Sequence, residues 1–135
     1  IHSVELGIRR MHQLLVRSGA KQPMYVYSFG PHIPGWDNPG SFHSVDLWFF
    51  FETLAKCWRP FTGIHYDLAR LLFTYWTEFI QKGTPDGRDA DGTQMPVWDA
   101  FTEEERMVMT FRGGAKEESR PEDEWMTFMK KHVKG

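Results

Sequence analysis

Cysteine is nearly absent. Cys57 stands alone among 135 residues, so no internal disulfide can staple the chain and no cysteine-rich zinc framework can form around it. Long apolar runs are missing too: the longest, Leu47-Trp48-Phe49-Phe50-Phe51, is five residues, against the roughly 20 that a membrane-spanning helix requires. No membrane span is expected, and the chain reads as soluble with its compartment left open. Nor does one charge dominate. The 16 basic and 18 acidic residues leave a formal charge of −2, too weak a field to gather phosphates along a surface, which argues against a nucleic-acid partner. Ile1 is followed by neither a basic stretch nor an apolar signal segment, so no signal peptide is read there and the opening resembles that of a processed or truncated product.

What is abundant is aromatic. Eleven Phe, six Trp and four Tyr make up 16% of the chain, and rings of that size require a deep core or a deep pocket. With 41% hydrophobic and 25% charged residues, the chain is globular and of single-domain size.

Helical spacing of Ile1, Val4, Ile8, Met11 and Leu15, ended at Ser18-Gly19, predicts an amphipathic opening helix. The run Met24 to Phe29 puts Tyr25, Tyr27 and Phe29 on one face and Met24 and Val26 on the other, as expected of a strand inside a covered sheet. Gly30-Pro31, Pro34-Gly35 and Asn38-Pro39-Gly40 then forbid regular structure and predict a long loop of the kind that often carries function. Leu68, Leu71, Leu72, Tyr75, Trp76, Phe79 and Ile80 predict a helix over Tyr66–Lys82 stopped by Gly83. The polar stretch Thr84 to Gly92, without an apolar anchor, reads as exposed turns. Met107 to Phe111 reads as a short strand ended by Gly113-Gly114, and Ser119-x-x-Glu122 as a capping box before a closing amphipathic helix. Two strands are too few for an independent sheet. The expected fold is therefore α/β with an incomplete sheet, part of something larger or paired with another chain.

Among six histidines, His2 with Glu5 forms an H-x-x-E on the first helix, which without further ligands reads as a solvated face. His12, His65 and His132 lie on helical or turn stretches without evident partners, and His32 reads as a surface loop residue. His43 has a different setting: it ends the long Gly/Pro loop after a strand, the place from which a general-base histidine reaches a nucleophile presented elsewhere.

Gly40-Ser41-Phe42-His43-Ser44-Val45-Asp46-Leu47 resembles the catalytic-histidine segment of type B carboxylesterases, the α/β-hydrolase family that includes cholinesterases, roughly G-A-x-H-[GS]-x-[DE]-L. Three further stretches resemble the same family in the same order: Met24 to Phe29 its V-Y-x-Y-x-F, Tyr75 to Gly87 its Y-W-x-N-F-A-x-x-G-D-P-N-G, and Met95 to Phe101 its L-P-x-W-P-x-Y. Departures are mild. Ser41 and Ser44 replace small residues, Asp46 stands for the more usual Glu, and Glu78 and Thr84 replace Asn and Asp.

The resemblance implies that residues 1–135 are the C-terminal segment of one α/β-hydrolase domain, with His43 as the histidine of a Ser-His-Glu triad, no cofactor and no metal. Its expected partners are the N-terminal portion, carrying the serine nucleophile and triad acid, and a small-molecule ester. None of Ser3, Ser18, Ser28, Ser41, Ser44 or Ser119 sits in G-x-S-x-G, so this chain by itself is expected to be inactive. The bulky Trp48-Phe49-Phe50-Phe51 either packs on the sheet or narrows the acyl and entrance region. Isolated, the chain is expected to expose apolar surface and to oligomerise. The leading function is a carboxylic ester hydrolase, and the alternative is a catalytically silent cholinesterase-like interaction domain.

Overall fold

A computed structural model describes residues 2–133, without the side chains of His2 and Ser3. Helix α1 (His2–Arg17) ends at Gly19, whose φ of 78° is the left-handed turn that glycine adopts freely. Strand β1 (Tyr27–Phe29) follows, then a long irregular segment, α2 (Asp46–Phe50), a single 3-10 turn (Leu54–Lys56) and the long helix α3 (Gly63–Lys82). Strands β2 (Met107–Phe111) and β3 (Ala115–Ser119) form a hairpin, and α4 (Glu124–His132) closes the described chain. Among the described residues no helix is long and apolar enough to cross a membrane.

The sheet has the order β1-β2-β3. Strand β1 runs parallel to β2 with Tyr27 opposite Met109 and Phe29 opposite Phe111, while β3 returns antiparallel with Ala115 opposite Phe111. The third strand was not expected, because its sequence Ala-Lys-Glu-Glu-Ser has little strand propensity. Pairing with β2 and the Arg112-Gly113-Gly114 connection form it despite its composition. Only the second half of the Met24 to Phe29 run pairs as a strand. The carbonyl of Met24 is taken instead by the Phe101 N–H at 2.7 Å, while that of Val26 accepts the Met109 N–H of β2 at 3.0 Å at the start of the pairing.

Alternation along β1 turns Tyr25, Tyr27 and Phe29 toward a core built from Phe49 and Phe50 of α2, Leu68, Leu72 and Tyr75 of α3, and Met109 and Phe111 of β2. Trp98 lies at its centre with edge-to-face contacts to Tyr25, Tyr27, Tyr75 and Phe111, at ring separations of 5.4 to 6.2 Å. The buried Tyr75 hydroxyl donates to the Pro96 carbonyl at 2.6 Å. Phe49 and Phe50 thus pack within the core, whereas Phe51 is exposed.

Helix α3 starts earlier than its apolar spacing predicts because Thr62 N–H donates to Nδ1 of His65 at 3.0 Å, a reciprocal cap made with histidine. The start of α4 also differs. Ser119 ends β3 and its hydroxyl donates to the Glu105 carbonyl, while Asp123 is the actual cap, accepting the Met126 N–H at 2.7 Å. The Thr84 to Gly92 stretch is anchored after all, by the fully buried Pro85 and by Asp89 on Arg70.

Helix α1 packs along α4, and Leu6, Arg9 and Met126 are the buried residues of that pair. The expected apolar stripe points elsewhere: Val4 is 65% exposed and Met11 52%. Arg9 takes the buried place, with its guanidinium on Glu5 at 2.8 Å and on the Arg120 carbonyl at 3.0 Å.

Candidate active site

The segment from Gly30 to Val45 has no regular structure, yet specific bonds hold it at both ends. Gly30 N–H donates to the Phe111 carbonyl at 2.8 Å, tying the segment to the end of β2, and Ser41 Oγ donates to the Pro31 carbonyl at 2.8 Å. Ile33 is fully buried in the core below. Then Val45 N–H donates to the Phe42 carbonyl at 3.2 Å across a turn in which Ser44 adopts a φ of 64°. His43 projects from this turn.

The turn feeds directly into α2, whose first residue is tied to the sheet. The Tyr27 hydroxyl donates to Asp46 Oδ2 at 3.0 Å. Burial, reinforced by that carboxylate, pushes the Tyr27 phenol well above its ordinary value, so it remains a donor throughout the physiological range. Aromatic edges add a second anchor, with Phe42 against Trp48 at 5.9 Å and Trp48 against Phe61 at 6.2 Å.

His43 is exposed, and among the described residues no hydrogen bond or ion pair holds its ring. It sits on the rim of an open cleft of about 570 Å³ lined by Val4, Ile8 and Met11 of α1, by Val26 and Tyr27, and by Phe42 and Leu47. An adjoining hollow of about 480 Å³ shares His43 and reaches Ser28, Val108 and Arg120. The cleft is apolar, and β1 forms the edge of the sheet beside it.

Three of the other histidines, His12, His65 and His132, have structural work. His65 accepts from Thr62 N–H through Nδ1, so its Nε2–H donates to the His32 carbonyl at 3.0 Å. His12 stands edge-on to Phe101 at 5.1 Å and 3.8 Å from Glu103. His132 stacks on Phe128 at 4.1 Å and donates through Nδ1 to the Phe128 carbonyl. These partners correct the expectation that the three lack any. Of the H-x-x-E pair, the His2 side chain lies outside the described residues and Glu5 is engaged by Arg9. Among the described residues no three His, Cys, Asp or Glu side chains are grouped to hold a metal. Ser28, Ser41 and Ser44 approach the site in sequence, but Ser41 is tied to Pro31 and none has the flanking glycines of a nucleophile elbow.

Sequence reasoning missed Arg59. It reaches back from the linker before α3 to grip Asp37 with both terminal nitrogens, at 3.0 and 2.9 Å. The guanidinium holds the Asp37 carboxyl below its usual range. The Arg in Cys57-Trp58-Arg59-Pro60, amid aromatic residues, was the available signal.

A β1-β2-β3 sheet flanked by helices, with a free histidine on the loop after the parallel edge strand, is part of an α/β-hydrolase fold. The sequence profile of the carboxylesterase family matches residues 2–129, and the chain belongs to that family. Among solved structures it is similar to a thermophilic PNB esterase, with 25% identity over 78% of this chain and 21% of that one, at a TM-score of 0.65. The carboxylesterase EST55 of Geobacillus stearothermophilus at pH 6.2 is also 25% identical, over 78% of this chain and 21% of that one, with a TM-score of 0.57. An esterase from Clostridium hathewayi, described as able to hydrolyse aliphatic aromatic polyesters, shares the fold at 21% identity and a TM-score of 0.69, covering 88% of this chain and 23% of that one. No curated protein matches. The chain thus spans about a fifth of the length of the solved structures it resembles.

Proposed function

We propose that this chain supplies the histidine of a serine ester hydrolase and that His43 is that histidine. The observation that carries the reading is the placement of an unengaged imidazole on the rim of an apolar cleft beside an open sheet edge. Serine and acid come from the remainder of the esterase chain, which adds strands beside β1 and covers the cleft and the apolar stripe of α1. The family membership and the short coverage of the esterase structures support this arrangement.

In the assembled site one ring nitrogen of His43 takes the proton of the serine hydroxyl as it attacks the ester carbonyl, while the acid orients the other nitrogen and stabilises the imidazolium. The same proton is passed to the departing alcohol, leaving an acyl-serine. Water then repeats the sequence: His43 accepts its proton as it adds to the acyl carbonyl, and returns that proton to the serine oxygen as the acyl–oxygen bond breaks and the carboxylic acid product leaves. Neither step needs a cofactor.

The test is p-nitrophenyl acetate hydrolysis by this chain alone and mixed with the N-terminal portion, with and without His43→Ala. Silence alone and His43-dependent turnover on mixing is the expected result. Turnover indifferent to His43→Ala removes the residue from the mechanism, and silence from demonstrably folded mixtures favours a non-catalytic interaction domain.

A further inference from the structure

The segment leading to His43 contains neither helix nor strand, yet a general base must be held to a fraction of an ångström. Several of its holding contacts converge on one side chain. Arg59 Nη1 donates to the Pro34 carbonyl at 3.0 Å, and Nη1 and Nη2 form a two-pronged pair with the Asp37 carboxylate. The guanidinium carbon lies 4.6 Å from the Trp58 ring and 5.5 Å from the ring of Phe42, the residue before His43. Gly35 is part of the same arrangement, since a Cβ there would lie 2.4 Å from Arg59 Nη1. The side chain is only 7% exposed. A charge so enclosed is costly unless its bonds are well directed. Here Nη1 and Nη2 bond a loop carbonyl and a loop carboxylate and the ring adjoining the histidine lies against the guanidinium, while Nε has no hydrogen-bond partner among the described residues. Lysine could offer charge, but neither the planar fork nor the stacking face.

We propose that Arg59 is a positioning residue that holds the His43 turn in place for proton transfer, bracing the 34–37 loop and Phe42 together from the linker before α3. The inference rests on the reading of His43 as the triad histidine. Tyr27 braces the far side of the same turn through Asp46, so His43 is suspended between two fixed points.

The experiment uses the intact esterase. Competent sites are counted by stoichiometric titration with a p-nitrophenyl phosphonate, and kcat per titrated site, KM and the pH profile of kcat/KM are measured with p-nitrophenyl acetate. In Arg59→Lys the charge is retained, so a change reports geometry: kcat per site is expected to fall about 10²-fold with KM unchanged. The acid limb of the profile is expected to move to lower pH as the imidazole loosens from its acid partner. Asp37→Asn, which weakens the fork without touching Arg59, shifts both readouts the same way by less, and it decides the matter should Arg59→Lys yield no titratable sites. Fewer competent sites with parental kcat per site and an unmoved limb would make Arg59 purely structural and overturn the proposal. His43→Ala separates the two readings. Lost turnover in that variant beside parental kcat in the Arg59 and Asp37 variants sinks Arg59 alone, whereas retained turnover sinks His43 and Arg59 together.

Discussion

On the α3 side of the sheet, Met109 and Phe111 meet Leu72, Tyr75, Phe49 and Trp98 in a sealed aromatic core. On the α1 side, Val26 and Val108 face hollows open to solvent, and Val4, Met11, Leu14 and Val16 of α1 lie uncovered. Both sides are built from apolar residues in helical or strand spacing. One is closed by helices that this chain contains, and the other is not. The difference shows that helical periodicity fixes which residues share a face, while the neighbours available decide whether that face is buried.

The comparison breaks most visibly through truncation. Leu72 is fully buried in the sealed core, so Leu72→Ala should cost about 2–5 kcal/mol, read as a fall in the urea midpoint of the chain. Leu14→Ala on the open side, where Leu14 is 64% exposed, should stay within about 0.5 kcal/mol. Comparable losses at the two positions would mean that the faces do not differ.

Charge on the open face sharpens it further. Val4→Glu with Met11→Glu should suppress self-association of the isolated chain, as seen by sedimentation or light scattering, because it breaks a contiguous apolar patch. In the intact protein the same pair should destabilise by several kcal/mol, since a carboxylate enclosed without a partner is heavily penalised. Neutral behaviour in the intact protein would show that nothing covers this face.

A smaller effect belongs to α4, which packs along α1. Asp123 caps α4 through the Met126 N–H, and Met126 is buried. Asp123→Ala should cost about 1 kcal/mol, with a matching loss of helical signal by circular dichroism.

Legibility in the sequence followed the same division. The strand Met107 to Phe111, the C-terminus of α3 at Gly83 and the aromatic identity of the core were readable, because each depends on local spacing or on a glycine stop. Strand β3 was not, since its charged residues are extended by pairing with β2 rather than by propensity, and only Gly113-Gly114 announced the turn. The true cap of α4 was hidden for a related reason: Ser119, three residues before Glu122, looked like a cap until the hairpin claimed it. The orientation of α1 was hidden as well, for the buried Arg9 bonds not only Glu5 one turn away but also the Arg120 carbonyl, distant in sequence. His43 stood out through its loop and its family motif. The two supports of its turn, Tyr27 on Asp46 and Arg59 on Asp37, depend on contacts between segments that no local pattern encodes.

The smallest expected effect tests whether the sealed side is independent of whatever covers the other. Arg70 of α3 binds Asp89 at 3.0 Å, and the Ala90 N–H adds a second donor at 2.7 Å, which together hold the Asp89 carboxyl below its ordinary value. A carboxylate whose folded value is depressed contributes stability that is complete above the unfolded value, about 3.9, and is lost as pH falls through the folded value. The pair is partly exposed, so its contribution is within about 1 kcal/mol. Asp89→Asn should therefore lower the urea midpoint slightly at pH 7 and converge with the parent well below the depressed value, where both side chains are neutral. A gap that persists in acid would assign the effect to shape rather than charge. Because the pair links α3 to the turn after it, away from the open cleft, the neutral-pH difference should be the same in the isolated chain and in the intact protein. The α1 substitutions should change their effect between those two settings, and that contrast would place a covering partner over the α1 face and not over the Arg70–Asp89 turn.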